Sequence, residues 1–375
     1  MSVIKCKRRF EAEMIAVKFW SISFALSVLL ASSCAHPRHQ VSRSPQSEEA
    51  DYVRKKGLCP EDSEHSETKL VIHHLDVGMG DSTFIRTPDG MTLLIDGGLP
   101  GQGRETILPL LKKCYAVEAL DYVLLTHFDQ DHLGGLADVI GSIPVRKAIY
   151  DPGEDKNTKG ERPLSPYTKY RVAMEGQPGK RRVPAPGENN FPETTVRIEV
   201  VSVNGKLSNG SQLPILTSEG TPKDDNAISI ALKLSYGTFD YFIGGDLTGG
   251  GQRKPDVETA VGKIVGDVDV LHANHHGSAT SSNLAFIQSL KPESVVISVA
   301  EGGMNLRYLL PSNEVLDRLS NAPEVKRVFL TSRGETRIKH GDMTAKEVVL
   351  SGDILILAEP DRYQVNGVSF ETDGK

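Results

Sequence analysis

Residues 126–135 read Thr-His-Phe-Asp-Gln-Asp-His-Leu-Gly-Gly, and this stretch decides how the rest of the 375-residue chain is interpreted. The apolar residues 122–126 lead into it and predict a strand, so the polar residues lie in a loop at the carboxyl end of that strand. Gly134 and Gly135 then allow a tight turn into a helix whose positive end faces the loop. The stretch therefore predicts a functional loop between a strand and a helix.

The loop contains four candidate metal ligands, His127, Asp129, Asp131 and His132. The first two residues can turn toward one cation and the last two toward a second cation. A solvated acidic loop is the plain alternative, but two imidazoles interleaved with two carboxylates favour a metal site.

Two other predicted strands end in residues of the same kind. Asp246 follows residues 239–243, and His275-His276 follow residues 268–271. A carboxylate at a strand end can bridge two cations. One of the paired histidines would complete the second metal site, and the other would protonate a leaving group. We assign catalysis to Asp131 and His276.

Five segments carry a resemblance to a known family. Their order is that of metallo-β-lactamase-fold hydrolases, and they most resemble the soluble hydrolase domain of ComEC-type DNA-uptake proteins. The segments are residues 75–82 (Leu-Asp-Val-Gly-Met-Gly-Asp-Ser), 94–98 (Leu-Ile-Asp-Gly-Gly), 126–135, 244–246 (Gly-Gly-Asp) and 275–281 (His-His-Gly-Ser-Ala-Thr-Ser). The resemblance implies an α/β fold, a four-layer αββα sandwich with a metal site at one sheet edge. It also implies that Asp246 bridges the metals, that Asp96 supports the ligands from behind, and that Asp81 lies beside the site.

The chain departs from the family pattern at two places. No histidine lies between His132 and His272, so a middle ligand is absent or is replaced by Asp225 or Asn226. The ComEC-like segment Asn…Tyr…His-Pro is also incomplete. Asn305 and Tyr308 match it, whereas Leu310 precedes Pro311 where a histidine is expected.

The resemblance further implies that a metal-activated water attacks a phosphodiester. Two cations lower the pKa of a bound water toward neutrality and clamp the oxygens that gain charge. We expect one or two divalent ions, zinc or manganese, because the carboxylates are hard oxygen ligands. We assign substrate binding to four polar residues, Ser278, Thr280, Ser281 and Asn305.

Composition leaves the substrate open. The net charge of −6 gives no global attraction to nucleic acid, so such a substrate needs a local basic patch. The first hypothesis is a phosphodiesterase acting on nucleic acid or a cell-envelope polymer. Hydrolysis of another bond, a lactam or an ester, is the second hypothesis. A non-catalytic binding lipoprotein with a degenerate metal site is the third.

The chain divides by composition into four parts. Residues 1–34 predict a signal peptide with a possible true start at Met14, and the residues before Cys34 resemble a lipoprotein cleavage motif. Residues 35–67 predict a flexible polar tether, residues 68–361 the hydrolase domain and residues 362–375 a tail. We expect an exported lipoprotein that faces the periplasm or the cell exterior and touches the membrane only through a lipid on Cys34.

Two further features have open alternatives. Residues 151–193 are polar and contain Lys180-Arg181-Arg182, which predicts a solvated loop or a mobile rim that holds an anionic substrate. Cys59 and Cys114 would be the remaining thiols in an exported chain, and they either pair or stay as unrelated thiols.

Overall fold

The computed structural model describes Cys59 and residues 68–153, 165–192, 194–216, 223–303, 305–336 and 346–372. The chain divides into a unit of residues 1–43 and a unit of residues 44–375, and all of the described residues belong to the second unit. The predicted signal peptide, Cys34 and the predicted tether of residues 35–67, apart from Cys59, lie outside the described residues.

Two large sheets form the centre of the fold. Their strands are β1 (Leu70–His74), β2 (Thr83–Arg86), β3 (Thr92–Ile95), β4 (Leu120–Leu124), β5 (Val145–Tyr150), β6 (Arg181–Arg182), β7 (Arg197–Val203), β8 (Lys206–Leu207), β9 (Ala231–Tyr236), β10 (Phe239–Ile243), β11 (Val270–His272), β12 (Ser294–Ile297), β13 (Arg327–Leu330), β14 (Glu347–Val349), β15 (Ile354–Glu359), β16 (Arg362–Val365) and β17 (Val368–Glu371). Within the described residues the first sheet has the order β17-β16-β15-β1-β2-β3-β4-β5-β6, and the second has the order β14-β13-β12-β11-β10-β9-β7-β8.

Short helices cover the outer faces of the sheets. They are α1 (Leu108–Lys113), α2 (Gln130–Leu133), α3 (Leu136–Ile140), α4 (Pro166–Glu175), α5 (Glu258–Val265), α6 (Leu284–Leu290), α7 (Asn305–Tyr308) and α8 (Asn313–Asn321). Three of them begin at a residue whose side chain accepts a backbone N–H in the first turn, which is the usual start signal of a helix. These capping residues are Ser165, Asn283 and Ser312.

Three apolar cores separate the layers. Buried residues of both sheets, such as Ile72 and Tyr241, form the core between them. A second core packs the outer face of the second sheet against helices, and includes Phe242 and Phe286. A third core does the same for the first sheet, and includes Val123 and Leu136. The arrangement is therefore helix, sheet, sheet, helix, and the predicted α/β class with four layers is confirmed.

The chain after Asp361 continues the first sheet. β16 pairs with β15 and β17 pairs with β16, both antiparallel. Tyr363 and Val365 are buried in the core between the sheets. The domain boundary placed at residue 361 is corrected by this pairing, because the first ten residues of the predicted tail form two strands of the body.

The described part of the polar insertion, residues 151–153 and 165–192, is also more ordered than its composition predicts. α4 lies within it and buries Tyr167, Tyr170 and Met174. Arg181 lies in the edge strand β6, and its Nε donates to Oδ2 of the buried Asp151 at 2.7 Å. Arg181 is thus engaged in an internal ion pair, and it does not belong to a free basic rim for substrate.

A disulfide joins Cys59 to Cys114, with 5.1 Å between the two Cα atoms. It ties the start of the described chain to the residue that follows α1. The sequence left this pairing open, and the structure shows it.

The described part of the chain contains no helix of the length and apolarity that a bilayer crossing requires.

Candidate metal centre

Four strand ends deliver the polar residues to one place. β3 is followed by Asp96 and β4 by the loop that carries His127 and His132, both in the first sheet. β10 leads into Asp246, and the parallel neighbour β11 leads into a turn that spans Asn274–Gly277 in the second sheet. The carboxyl ends of these strands meet at one edge of the sandwich, so residues far apart in the chain face each other.

Asp246 lies at the centre of four imidazoles. Its Oδ1 is 3.2 Å from Nε2 of His132 and 3.6 Å from Nε2 of His276. Its Oδ2 is 3.7 Å from Nε2 of His127 and 3.6 Å from Nε2 of His275. The carboxylate therefore turns one oxygen toward each of two histidine pairs, which is the arrangement that a bridging ligand requires.

Each histidine contacts another group through its second nitrogen. His132 Nδ1 lies 2.8 Å from Asp96 Oδ2, and His276 Nδ1 lies 3.2 Å from the carbonyl oxygen of Ser298. An Nδ1–H that donates outward leaves the Nε2 lone pair free to bind a metal, and metal-binding histidines in proteins usually have such a partner.

The other two histidines have hydroxyl partners. His127 Nδ1 is 3.1 Å from Thr126 Oγ1, and His275 Nδ1 is 3.4 Å from Thr280 Oγ1. Asp96 also accepts the backbone N–H and the hydroxyl of Thr126, at 2.8 and 2.7 Å. Asp96 therefore contacts His132 from behind, as the resemblance implies.

Three more carboxylates complete the arrangement. Asp129 Oδ2 is 3.7 Å from Nε2 of His127, and Asp131 Oδ2 is 3.7 Å from Nε2 of His276. Asp81 belongs to a buried group of four possible ligands, whose ligand atoms all lie within 4.8 Å of one another; its members are Asp81, His132, Asp246 and His276. Asp81 was expected beside the site, and the structure places it among the possible ligands.

Several of these atoms are buried and make no hydrogen bond within the described part of the chain. They are Nε2 of His127, His132 and His276, Oδ1 of Asp246, and both oxygens of Asp81. A buried polar atom without a partner is costly, and each case needs an explanation. Nitrogen lone pairs and carboxylate oxygens directed at a common space are a donor set that fits a divalent cation. The residues present therefore fit the metal that the fold implies.

The protonation of this cluster follows from burial and neighbouring charge. Burial raises the pKa of Asp246, but the histidines around it, His132 first, outweigh burial and hold that pKa well below its usual range. Burial lowers the pKa of His275 below its ordinary value. An ionised carboxylate and a neutral imidazole are the forms that bind metal. Burial lowers the pKa of His127 and of His132, but the carboxylates beside them, Asp246 among them, outweigh burial and raise both pKa values. A proton therefore competes with a metal at these two imidazoles.

The turn that carries the paired histidines has an unusual backbone. His275 and His276 both have positive φ angles, 51° and 52°. Residues with side chains rarely adopt this left-handed conformation, and where they do the surrounding structure must hold it. The conformation lets two adjacent histidines turn toward the two different oxygens of Asp246.

Two side chains, the buried Glu258 and the half-buried Arg318, hold this turn and the residues after it. Glu258 accepts from the side-chain amide of Asn274 at 2.7 Å and from the backbone N–H groups of Ser282 and Asn283 at 2.7 and 2.8 Å. Arg318 donates to the carbonyls of residues 279, 281 and 282 from the other side. We call residues 274–283 the histidine loop.

A cleft of about 570 Å³ opens onto the cluster. Its wall includes Asp131, Asp246 and both histidines of the histidine loop. The rest of the wall includes Asp129 and the apolar residues Met79, Ala279 and Leu310. Hydrogen-bond donors and cations form the other part, and these are Gln130, Asn226, Gln252, Lys254, Ser278, Thr280, Arg307, Tyr308 and Ser312. The candidate site is thus reachable by a ligand from solvent.

Two residues assigned to substrate binding do not line the cleft. Asn305 is 1% exposed, and its side chain bonds the backbone of Ala300 and Leu310. The Ser281 hydroxyl donates to the carbonyls of Asn274 and Ser278. Both assignments are corrected, because backbone groups use the polar atoms of these side chains. Ser278 and Thr280 remain on the cleft wall.

The position of the missing middle histidine is now visible. Asn226 is buried, and its Nδ2 lies 3.0 Å from Nε2 of His275 and 3.3 Å from Oδ2 of Asp246. Asn226, one of the two replacements considered from the sequence, thus contacts the cluster. Leu310 lines the cleft where the resemblance implies a histidine.

Sequence reasoning missed several residues of the site. His272 Nε2 lies 3.3 Å from Asp81 Oδ1 and 3.2 Å from Ser298 Oγ, directly behind the cluster. Its position at the end of β11, before the histidine loop, was an available signal. Lys254 and Arg307 had no such signal, because only the folding of distant segments brings them to the cleft.

The chain is similar to known proteins in sequence and in fold. Residues 75–211 match the model of the Metallo-beta-lactamase superfamily. The chain is 27% identical over 262 residues to ComE operon protein 3 of Bacillus subtilis (strain 168), which covers 65% of this chain and 30% of that protein. It is 28% identical over 255 residues to Competence protein ComA of Neisseria gonorrhoeae, which covers 68% of this chain and 30% of that protein. The chain thus spans about a third of the length of these relatives.

The fold of the chain is also similar to that of a solved structure. It is the metallo-beta-lactamase fold protein YhfI from Bacillus subtilis, with a TM-score of 0.41 and 11% identity, covering 77% of this chain and 100% of that one. The resemblance stated from the five segments is confirmed by the family match and by the similarity to the competence proteins. Residues 75–211 therefore match the Metallo-beta-lactamase superfamily model, and the described residues include a possible metal site.

Proposed function

We propose that the protein is a metal-dependent phosphodiesterase. The observation that carries this proposal is the placement of Asp246, which turns one oxygen toward each of two histidine pairs at the floor of an open cleft. One cation would be held by His127, His275 and Oδ2 of Asp246. A second would be held by His132, His276 and Oδ1 of Asp246. Divalent cations in such a site supply positive charge toward the reacting phosphate and make water acidic enough to act near neutral pH.

The cleft wall supports a phosphate ester over a lactam or a carboxylic ester. Lys254 and Arg307 bring positive charge to the opening, and Ser278 and Thr280 bring hydroxyls close to the histidines. Guanidinium, ammonium and hydroxyl groups match the charge and the several acceptor oxygens of a phosphodiester. Lys254 also pairs with Asp224, so Arg307 is the cation of this wall that favours an anionic substrate over a neutral one.

The residues of the chain divide the remaining work. Asp246 fixes the spacing of the two histidine pairs, and Asp96 orients His132. Asp131, which lines the cleft, would accept a proton from an attacking water at Oδ2. Ser278 and Thr280 would donate hydrogen bonds to the non-bridging oxygens of the phosphate.

Nucleic acid is the phosphodiester that we favour. Two of the similar proteins are named for competence and for recombination, and the second is Recombination protein 2 of Haemophilus influenzae (strain ATCC 51907 / DSM 11121 / KW20 / Rd), 24% identical over 250 residues. A cell-envelope phosphodiester offers the same chemistry to the metal centre. Nucleic acid and a cell-envelope polymer are therefore both tested as substrates.

The test is hydrolysis by purified protein with added Mn²⁺ or Zn²⁺. The panel contains bis-p-nitrophenyl phosphate, DNA and RNA oligonucleotides, a teichoic-acid-type polymer, a chromogenic lactam and p-nitrophenyl acetate. We expect cleavage of the small diester and of nucleic acid, which chelator abolishes. Asp246→Asn should lower the rate by at least about 10³-fold, since the charge clamp and the water activation are lost together.

Asp121→Asn is the matched control, because Asp121 is a buried carboxylate that lies outside the cluster. It should keep the wild-type rate. If the protein opens the lactam or the ester and leaves every phosphodiester intact, the proposal is wrong.

We also propose that the chain is exported and carries a lipid on Cys34. The disulfide between Cys59 and Cys114 supports export, because such bonds persist in oxidising compartments. Cys34→Ser should release the protein from the membrane fraction into the soluble exported fraction. Unchanged membrane retention in that variant would contradict lipidation, and recovery of reduced protein in the cytoplasm would contradict export.

A further inference from the structure

An exposed aromatic and an exposed cation stand side by side on the cleft wall. The guanidinium carbon of Arg307 lies 5.5 Å from the ring centre of Tyr308, and both side chains line the cleft. Tyr308 is 53% exposed, which is unusual for so large a side chain beside a functional cleft. Within the part of the chain that the structure describes, Arg307 makes no hydrogen bond or ion pair. This pair is therefore available to a ligand.

The helix that carries the pair is firmly held. α7 consists of only Asn305–Tyr308, yet Asn305 is buried and makes three hydrogen bonds. Its Nδ2 donates to the carbonyls of Ala300 and Leu310 at 2.6 and 2.9 Å, and its Oδ1 accepts the N–H of Leu310 at 2.8 Å. These bonds fix the backbone on both sides of the helix. A preorganised surface loses less entropy when it binds a ligand than a mobile one does.

The flat shape and the charge of the pair select the ligand. A tyrosine ring with a guanidinium over it offers a planar surface for a nucleobase and a donor for the neighbouring phosphate. Lys254 lines the same cleft and adds a second cation, although it also pairs with Asp224. A lipid tail would need a continuous apolar wall, whereas polar and charged residues interrupt this one.

We infer that Arg307 and Tyr308 form a nucleotide subsite that binds an unpaired base beside the scissile phosphate. This inference rests on the proposed phosphodiesterase function and names its substrate as single-stranded nucleic acid. A base in a duplex is stacked on its neighbours and has no free face for the ring. The subsite therefore discriminates between single strands and duplexes, while the metal centre acts on the phosphate.

The test measures binding separately from cleavage. Fluorescence anisotropy with a labelled single-stranded oligonucleotide and with its duplex is carried out in the presence of chelator, so that no hydrolysis occurs. Wild-type protein should bind the single strand more tightly than the duplex. Tyr308→Ala should weaken single-strand binding by about 10-fold, and Tyr308→Phe should restore it, because base stacking needs the ring and not the hydroxyl.

Arg307→Ala should lower the slope of log affinity against log salt by about 0.7, which is the loss of one phosphate contact to a single strand. Leu306→Ala is the matched control. Leu306 lies on the same helix and is 57% exposed, but it does not line the cleft. This variant should bind like wild type.

The outcomes separate this inference from the proposed function. Loss of the single-strand preference in Tyr308→Ala, with Leu306→Ala unchanged, supports the subsite. Equal binding of wild type and Tyr308→Ala overturns the subsite, even if the protein cleaves bis-p-nitrophenyl phosphate. Wild type that binds anionic vesicles and no oligonucleotide also overturns it. Tight single-strand binding with no cleavage of any phosphodiester would support the subsite and contradict the phosphodiesterase proposal.

Discussion

Asp96 and Asp121 are two buried aspartates with the same kind of local partner. Asp96 accepts the N–H and the hydroxyl of Thr126, and Asp121 accepts the N–H and the hydroxyl of Thr92. Only Asp96 also contacts a histidine of the candidate metal centre, His132. A comparison of the variants Asp96→Asn and Asp121→Asn therefore separates an effect on metal affinity from the loss of stability that removal of any buried carboxylate causes.

Asp96→Asn should reduce the affinity for Mn²⁺ or Zn²⁺ by about 10- to 100-fold, as the loss of a partner behind a metal ligand usually does. The physical reason is that an amide does not hold the imidazole of His132 in the tautomer that directs its lone pair inward. Isothermal titration of each metal into the protein gives the affinity. Asp121→Asn should lower stability without changing that affinity, and an equal loss in both variants would contradict the role given to Asp96.

The structure changes the expectation for His276. The sequence made this residue a proton donor, for which removal costs about 10²–10⁴-fold in rate and no metal. Its Nε2 lies 3.6 Å from Oδ1 of Asp246, as part of the same histidine pair as His132. His276→Ala should therefore reduce metal content and metal-induced thermal stabilisation as strongly as His132→Ala does. If His276→Ala keeps its full metal content and only the reaction rate falls, His276 acts as a proton donor and not as a metal ligand.

At the scale of elements, the histidine loop depends on Glu258 at the start of α5. This carboxyl is fully buried, and burial raises its pKa from 4.5 to about 7, with the charge of Asp256 adding to the effect. Hydrogen bonds from Asn274, Asn283 and Ser282 oppose the rise without cancelling it. One buried acid at this position therefore links the conformation of a ligand-bearing loop to pH.

The sign of the pH dependence follows from the raised pKa. The folded protein holds the proton of Glu258 more tightly than the unfolded chain does. The contribution of this proton to the free energy of unfolding is therefore complete below pH 4.5, and it is lost as the pH rises to about 7. The expected loss is about 3 kcal/mol of unfolding free energy. Urea unfolding of metal-free wild type and Glu258→Gln at several pH values measures it. Glu258→Gln should lack this decline, and parallel pH profiles for the two proteins would contradict the assignment.

At the scale of the whole molecule, the disulfide ties Cys59 to the residue that follows α1, across 55 residues of chain. Closing a loop of this length restricts the unfolded chain, and such bonds contribute about 2–4 kcal/mol. Reduction of wild type should lower the unfolding free energy by that amount. The double variant Cys59→Ser/Cys114→Ser should start at the lower value and show no further change with reductant. A reductant effect that persists in the double variant would place the cause elsewhere.

The sequence by itself determined the kind of site and the layers around it. Apolar runs that end in Asp246, His275 or residues 126–135 predict strands with metal ligands at their carboxyl ends. Such patterns are local, because a few adjacent residues decide both the strand and the chemistry that follows it. The αββα arrangement was also within reach, through the family resemblance that the sequence carries.

Local patterns were insufficient where the outcome depends on long-range packing. Arg181 lies in a segment whose composition predicts a solvated loop. Its guanidinium instead donates to Asp151, which is 30 residues away in the sequence. Residues 362–371 look like a tail and become strands because β15 offers a free edge to pair with.

Only the tertiary structure decided which atoms meet at the centre. Asp81 joins the ligand group, Asn226 reaches the position without a histidine, and Asn305 holds α7 instead of a substrate. The two oxygens of Asp246 each face one histidine pair because strands of two different sheets end at the same edge. The physical reason is that residue type fixes what a side chain can bind, whereas its direction is set by pairing across sheets and by loop anchors such as Glu258 and Arg318, which lie far away in the sequence.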